Sequence, residues 1–233
     1  MGLLALAIAP GIAICIFIYI KDKYNREPVG LLMVSFILGM LSTIPAMILQ
    51  VLNNTSPESL IGKSYIEVAI FAYLVVALSE ESSKYCMIRF FGYRRTAFDE
   101  PFDGIVYAVM VGMGFATLEN IGYVYQNGMG AGILRMFLSV PAHATFAVLM
   151  GYYMGLAKFD ETNRKKYLLL AILLPVIFHG TFDFFLFLGS TPLHFVGAIA
   201  SFIVAIRLSR KAIRKHQDLS KESLIINTDH SLL

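Results

Sequence analysis

An adjacent pair of glutamates, Glu80 and Glu81, lies inside a stretch of the chain that otherwise has the composition of a membrane helix. Residues 68–78 before the pair carry no charge, and residues 85–88 after it are apolar again. Because two carboxylates are costly to place in hydrocarbon, a chain that does so must give them partners. On a helix, Lys84 can reach the carboxylate of either glutamate. The two glutamates point about 100° apart, so one can pair with Lys84 while the other faces a cavity. An ion-paired cluster without any chemistry explains this stretch as well as a functional site does.

The composition indicates a membrane protein with several spans. Hydrophobic residues make up 57% of the 233 residues and charged residues 15%, against roughly 25% charged residues in a soluble domain. No basic cluster is interleaved with aromatic residues, so we expect the lipid bilayer and no nucleic acid as a partner. The two cysteines, Cys15 and Cys86, lie in different apolar segments. We expect both to be small core residues and not part of a disulfide or a zinc site.

Seven apolar stretches predict an all-α, polytopic transmembrane bundle of about seven helices, with an eighth allowed by the pattern. A helix needs about 20 apolar residues to cross the hydrocarbon. The stretches lie near residues 2–20, 30–52, 66–88, 102–125, 131–156, 167–188 and 194–208.

The charges between these stretches predict the orientation. Loops rich in lysine and arginine alternate with loops that have few or none. The positive-inside rule therefore places the N-terminus outside and the C-terminus in the cytoplasm. No basic residue precedes the first stretch, as one would in a signal peptide, so we expect an uncleaved helix. Residues 1–208 form the predicted membrane core, and the polar residues 209–233 a flexible cytoplasmic tail.

Further ionisable residues lie inside the following apolar stretches. Glu119 and His143 occupy the fourth and fifth, and His179 and Asp183 share the sixth. The last two are four residues apart, so they lie on one helix face, where the aspartate can fix the histidine tautomer. Ionisable groups on four consecutive helices predict a shared polar cavity. The other three histidines are expected at or outside the membrane interface: His194, His216 and His230.

Such a cavity supports three kinds of chemistry. Its carboxylates and imidazoles can relay ions or protons in a transporter or channel. They can bind zinc, for which glutamate, aspartate and histidine are all suitable ligands. A glutamate can instead activate water for attack on a peptide carbonyl, with a histidine donating to the oxyanion. The residues alone do not choose among these three.

The order of the motifs resembles the PrsW family of intramembrane proteases. That family is a branch of the group that contains the CAAX prenyl endopeptidases and the bacteriocin-processing enzymes. The segments 24–28 and 98–107 also look like this family, and the resemblance covers roughly residues 5–210. Its motifs follow one another on successive predicted helices: Glu80-Glu81-x-x-Lys84, Phe115-x-x-x-Glu119-Asn120, a single His143, and His179-x-x-x-Asp183.

The resemblance implies a multi-pass protease of the bacterial plasma membrane. Its substrate would be a single-pass, membrane-anchored anti-sigma factor. The chain would make the first of two cuts, on the extracytoplasmic side. A separate site-2 protease would then act on the product and release a sigma factor for stress genes.

The resemblance also implies roles for individual residues. Glu80 and Glu81 match the family's essential glutamate pair and His179 its essential histidine. We expect one glutamate to activate water, the other to pair with Lys84, and His179 to polarise the scissile carbonyl. The other motif positions would complete the site, with Asn120 in support: Glu119, His143 and Asp183. In the CAAX branch the position of Glu119 is usually a histidine.

We expect no metal or other cofactor, because no helix carries the HExxH pair typical of zinc proteases. A zinc mechanism that uses His143, His179 and a carboxylate remains the alternative.

The predicted depths of these residues do not agree with one another. At about 1.5 Å of rise per residue, Glu80 lies roughly 20 Å from the outer end of its helix, toward the inner half. Glu119 falls nearer the outer face, and His143 and His179 near the middle. A later start of the helix that carries Glu80, kinked or tilted neighbours, or a tall cavity would each reconcile these depths.

Overall fold

The structure is a computed structural model that describes residues 2–60, 62–189 and 191–230. These residues form helices joined by short loops, and no strand occurs among them. The predicted all-α class is therefore confirmed. In chain order the α-helices are α1 Gly2–Lys21, α2 Val29–Leu41, α3 Thr43–Leu52, α4 Tyr65–Ile70, α5 Leu78–Phe90, α6 Pro101–Phe137, α7 Ser139–Phe159, α8 Arg164–Phe187 and α9 Pro192–His230.

Two of the predicted membrane helices are built from more than one piece. Helices α2 and α3 meet at Ser42, whose hydroxyl donates to the carbonyl of Gly39 over 2.6 Å. Pro45 follows in the first turn of α3, where it has no N–H to give to the preceding turn. Helix α4 continues into α5 through the π-helical turn Phe71–Ala77, and this turn ends just before the glutamate pair.

The chain reverses direction inside α6, between the predicted stretches 102–125 and 131–156, but the next helix starts later than predicted. Gly128 has φ 76° and ψ −165°, a backbone conformation open in practice only to glycine. Beyond it, Arg135 contacts Glu119 at 2.7 Å. On a straight helix residues 16 apart would lie roughly 24 Å from each other. The segment after Gly128 therefore folds back along the end of α6, and α7 begins only at Ser139.

Five helical segments in the described part of the chain are long and apolar enough to cross a membrane. The segment Tyr65–Phe90, which carries the charged cluster, is not among them. The chain is a multi-pass membrane protein, while the count of seven or eight crossings and the orientation of the termini stay predictions. The five segments are Gly2–Lys21, Val29–Leu52, Pro101–Phe159, Arg164–Phe187 and Pro192–Glu222.

Helix α9 continues past residue 208, where the membrane core was predicted to end. The Ser209 hydroxyl donates to the carbonyl of Thr145 over 3.1 Å. His216 is fully buried and stacks on Tyr152 with ring centroids 4.4 Å apart. The surface position predicted for His216 is therefore wrong. The division of the chain at 208 stays a prediction, His194 is half-buried, and the side chain of His230 lies outside the described part.

Helix α6 is the centre of the bundle, since residues 102–117 are buried on every side. It contacts α1, α2 and α7 extensively, and glycines permit the close approach. A Cβ atom at Gly114 would overlap the backbone carbonyl of Phe36 on α2, and one at Gly151 would overlap the backbone of Gly104. Gly151 belongs to a small-xxx-small pair of the kind that brings helices together. The buried run ends just before Glu119, which places this residue at the rim of the core.

The close approach of α2 to α6 can be tested with a pair of substitutions on α6. We expect Gly114→Ala to lower stability by about 1–3 kcal/mol, because the added methyl group meets backbone that cannot move aside. The matched control is Gly122→Ala, since a Cβ there meets no atom within 4 Å. Thermal unfolding in detergent would measure both. A Gly114→Ala variant as stable as the Gly122→Ala variant would contradict the packing.

Candidate active site

Both glutamates of the pair are buried and share one cation. Glu80 is 4% exposed and Glu81 is 1% exposed. The ammonium Nζ of Lys84 lies 2.8 Å from Glu81 Oε1 and 3.4 Å from Glu80 Oε2. The predicted contact with Lys84 is present, but Lys84 reaches both carboxylates and lies closer to Glu81. The ring of Phe115 lies 4.0 Å from the same Nζ, so the ammonium has little access to water.

His179 of α8 lies between two carboxylates. Its Nε2 is 3.2 Å from Asp183 Oδ2, and its Nδ1 is 2.8 Å from Glu81 Oε1. Two carboxylate acceptors call for two N–H donors, which only the imidazolium cation offers. The ring of Phe146 stacks on the imidazole at 5.0 Å between centroids. The predicted pairing of His179 with Asp183 is present, and Glu81 adds a second acceptor on the other side.

His143 of α7 links the glutamate pair to Glu119. Its Nδ1 lies 3.2 Å from Lys84 Nζ and its Nε2 3.0 Å from Glu119 Oε2. An ammonium can only donate, so Nδ1 is the acceptor, and Nε2 carries the hydrogen that is donated to Glu119. The imidazole is therefore held as a neutral Nε2–H tautomer between a cation and an anion.

The polar network is long, which accounts for the different depths expected for its members. The helix that carries Glu80 begins at Tyr65, close to its predicted start. Lys84 and His143 bridge the remaining offset between Glu80 and Glu119. A later start of the helix that carries Glu80 is therefore excluded, and side chains in direct contact span the offset.

Two further polar residues contact this network and were not among the predicted site residues. Arg135 donates through Nη2 to Glu119 over 2.7 Å and through Nε to Asn120 Oδ1 over 3.0 Å. Gln50 of α3 donates to Glu80 Oε1 over 3.2 Å. Each is an isolated polar residue in an apolar stretch of the sequence. No other feature of the sequence indicates that these two residues contact the site.

Asn120 connects the site to the first helix. Its Nδ2 donates to the carbonyl of Ala7 on α1 over 3.0 Å, while its Oδ1 accepts from Arg135. The predicted supporting residue therefore holds the backbone of α1 and the reversed segment in place, and it does not contact the glutamate pair.

An open groove of about 490 Å³ lies between α3 and α5, beside the glutamate pair. Apolar side chains such as Leu49 and Leu74 form much of its wall. The hydroxyl-bearing residues Ser79, Ser82 and Ser83 of α5 add a polar strip. A polar strip along an apolar groove can receive an extended peptide or a helix end, because unpaired backbone groups need hydrogen-bond partners inside a membrane.

Four side chains of the network offer a set of metal-ligating atoms. One atom from each lies within 4.8 Å of the others, and the residues are Glu80, Glu81, His143 and His179. Imidazole nitrogens and carboxylate oxygens are ligands that zinc accepts. Glu81 Oε2 is buried and has no hydrogen-bond partner, so one acceptor is free. The chemistry of these donors therefore fits a metal ion, although the Lys84 ammonium already contacts three of the four.

The role of Lys84 as the shared cation can be tested by removing its charge. Breaking a buried ion pair from one side typically costs about 3–5 kcal/mol, so we expect Lys84→Met to lower thermal stability strongly. Adding Glu81→Gln should recover part of the loss, because it removes one of the uncompensated anions. Unfolding of the two single variants and the double variant would measure the coupling. Strictly additive effects would contradict a direct interaction.

Comparison with known proteins gives consistent matches. A family model described as PrsW family intramembrane metalloprotease matches residues 27–208. The Protease PrsW of Geobacillus kaustophilus (strain HTA426) is 40% identical over 185 residues, which are 79% of this chain and 80% of the relative. The Protease PrsW of Bacillus subtilis (strain 168) is 35% identical over 214 residues, which are 91% and 95% of the two chains. No solved structure was found that matches the chain.

Proposed function

The chain belongs to the PrsW family of intramembrane proteases, and we propose that it makes the first, extracytoplasmic cut in a membrane-anchored anti-sigma factor. Membership of this family excludes the transporter or channel among the chemistries that the residues left open, since the chain is a bacterial membrane protease. The identity of the substrate, the side of the cut and the later action of a site-2 protease belong to the proposal.

We assign the role of general base to Glu80. The observation that carries this assignment is that neighbouring cations lie closer to Glu81 than to Glu80. Glu81 Oε1 lies 2.8 Å from both Lys84 Nζ and His179 Nδ1, so two cations hold it as an anion. Glu80 Oε2 lies farther from both cations, 3.4 Å from Lys84 Nζ and 4.0 Å from His179 Nε2, and its Oε1 accepts from the neutral amide of Gln50. The less tightly paired carboxylate is the better placed to exchange a proton with water.

In the proposed reaction Glu80 takes a proton from a water molecule, whose oxygen attacks the carbonyl carbon of the scissile peptide bond. The Nε2–H of the His179 imidazolium would be shared between Asp183 and the resulting oxyanion, while its Nδ1–H stays on Glu81 and fixes the direction of the ring. As the C–N bond breaks, Glu80 returns the proton to the leaving nitrogen. The products are a carboxylic acid on one fragment, which keeps the second proton of the water, and an amine on the other.

The groove between α3 and α5 is the proposed route of the substrate. It is open to the surroundings of the bundle, so an apolar single-pass helix can approach from the bilayer. Gln50 lies on the same helix as the groove residues Pro45 and Leu49 and donates to Glu80, so it links this wall of the groove to the proposed base. The serines of α5 would bind backbone groups of the substrate where its helix unwinds.

The family description names a metalloprotease, and the residues that would hold a metal ion are Glu80, Glu81, His143 and His179. A bound zinc ion would supply a Lewis acid for the carbonyl and a more acidic water. We propose the metal-free route, in which the Lys84 ammonium is the cation of the cluster. Its contacts of 2.8–3.4 Å with three of these four residues support this choice.

Cleavage in a reconstituted system tests the assignment. With purified protein and a single-pass anti-sigma factor in liposomes, we expect Glu80→Gln to slow cleavage by about 10²–10⁴-fold, the usual contribution of a general base. Glu81→Gln and His179→Ala should also lose activity. The matched control is Glu161→Gln, because the Glu161 side chain is 85% exposed. Thermal unfolding would verify that each variant is folded.

A zinc chelator added to the same assay separates the two mechanisms. Activity that survives chelation, in protein shown to be metal-free by elemental analysis, would support the glutamate–histidine route. Activity lost on chelation and restored by zinc would replace it with metal catalysis. Folded Glu80→Gln and His179→Ala variants that cleave as fast as the wild type would show that these residues are structural.

The contact of Arg135 with Glu119 gives a separate prediction. A hydrogen bond to a charged group contributes about 1.5–3 kcal/mol, so Arg135→Gln should slow cleavage by roughly 10–100-fold if the contact orients the site. Arg135→Lys should recover part of the rate, since it keeps the charge. Lys63→Gln is the control, because Lys63 belongs to an exposed ion pair. A change in KM with an unchanged kcat would indicate that Arg135 affects substrate entry and not chemistry.

A further inference from the structure

A second group of buried acidic residues lies at the other end of α6 from Glu119. Asp22, Glu27, Glu100 and Asp103 are all at most 7% exposed. They come from the end of α1, the α1–α2 loop and the start of α6. Asp103 and Glu119 are 16 residues apart on α6, which corresponds to roughly 24 Å. This acidic cluster is therefore separate from the proposed active site.

Two carboxylates of the acidic cluster each have a free oxygen pointing into the protein interior. Asp103 Oδ2 accepts the backbone N–H groups of Asp99 and Glu100 over 2.9 and 2.8 Å. Asp22 Oδ2 accepts the N–H of Glu27 over 3.1 Å. The other oxygen of each, Oδ1, is buried and has no hydrogen-bond partner. Because burying an unpaired carboxylate oxygen is costly, these two atoms point to a missing partner.

The carboxylates of the acidic cluster lie close to one another. Ligand atoms of Asp22, Glu100 and Asp103 lie within 4.8 Å of one another. Two oxygens that bind the same Mg²⁺ or Ca²⁺ at about 2.0–2.6 Å are at most about 4–5 Å apart. Carboxylates this close to one another need a proton or a cation between them. Tyr107 donates to the neighbouring Glu27.

No side-chain cation neutralises the acidic cluster. Among the residues that the structure describes, none of its carboxylates forms an ion pair within 4.0 Å. Two neighbouring basic residues, Arg26 and Lys158, donate to backbone carbonyls instead. Arg26 Nε donates to the carbonyl of Asp22 over 3.3 Å, and Lys158 Nζ donates to the carbonyls of Tyr93 and Arg95 over 2.8 and 3.1 Å.

We propose that Asp22, Glu100 and Asp103 bind a divalent cation of the Mg²⁺ or Ca²⁺ class. All the donors are oxygens, which these hard cations prefer, and no nitrogen or sulfur ligand favours zinc. The ion would tie the end of α1 to the start of α6. Ser220 of α9 hydrogen-bonds to Glu100, so α9 would be held as well. On the predicted orientation this end of the bundle faces the cytoplasm, where Mg²⁺ is the first ion to test.

Proton binding competes with the cation and predicts a pH dependence. Burial raises the pKa of Asp22 to about 6 and the pKa values of Glu27 and Glu100 to about 7. The stabilisation from these protonated acids is complete below about pH 4 and is lost as the pH rises through about 6–7. The cation should offset that loss. The charged and titratable groups that face these three acids are Arg26, Asp99, Asp103, Tyr107 and Lys158.

The test uses the full chain in detergent, freed of metal, at about pH 8, which is above the raised pKa values of Asp22, Glu27 and Glu100. We expect Mg²⁺ or Ca²⁺ to raise the unfolding temperature, with a dependence on concentration that follows mass action. Asp22→Asn and Asp103→Asn should each weaken cation binding at least tenfold in isothermal titration. The exposed carboxylate of Glu161 supplies the control, Glu161→Gln.

A second probe locates the ion. Tb³⁺ luminescence excited through tyrosine should fall in Tyr107→Phe, because this ring lies beside Glu27, and it should be displaced by Mg²⁺ or Ca²⁺. The Glu80→Gln/His179→Ala variant should keep the stabilisation, since it alters only the proposed active site.

Three results would overturn the proposal. One is the absence of any stabilisation by Mg²⁺ or Ca²⁺ in the wild-type chain. Another is stabilisation that disappears in Glu80→Gln/His179→Ala, which would place the ion in the active site. The last is a stability that falls with rising pH equally with and without cation, which would show that the acidic cluster holds protons only. These measurements use variants other than Asp22→Asn and Asp103→Asn, so they decide the question even if those two do not fold.

Discussion

The arrangement of the active site depends on one buried positive charge. Lys84 stands between two adjacent carboxylates and an imidazole, in a part of the protein with almost no access to water. Moving two anions and a cation out of water costs several kcal/mol for each ion, and only close contacts among them offset that cost. The positions of α5, α7 and α8 are therefore coupled, because each supplies a group that the others need. His179, held by Glu81 and Asp183, provides a second positive centre.

Most of the helices could be predicted from the sequence, because the hydrocarbon of a membrane restricts which segments can cross it. Every helix that crosses it needs a long apolar run, and each predicted stretch coincides with helix in the structure. Contacts within one helix were predictable for the same reason. The spacing of Glu81 and Lys84 and that of His179 and Asp183 follow from helix geometry alone.

Contacts that depend on how the chain turns were not predictable. Arg135 reaches Glu119 only because the chain reverses at Gly128. The stretch around Gly128 is rich in glycine, and the sequence does not show which glycine adopts the unusual dihedral angles. The burial of His216 depends on α9 continuing along the bundle past residue 208. A polar composition predicts exposure on average, but it cannot show that a neighbouring helix covers one face.

The π-helical turn Phe71–Ala77 affects how the protein tolerates changes in its length. A π-turn holds one residue more than an α-helical turn, and one residue corresponds to about 100° of rotation about the helix axis. The glutamate pair lies in the first turn of α5, three residues after the end of this turn, so its direction depends on that extra residue. A one-residue deletion among residues 71–77 would make the helix regular and rotate either the glutamates or the preceding apolar face. The segment therefore tolerates substitutions of similar size far better than a change in residue number, and homologous chains should differ here in side chains but not in length.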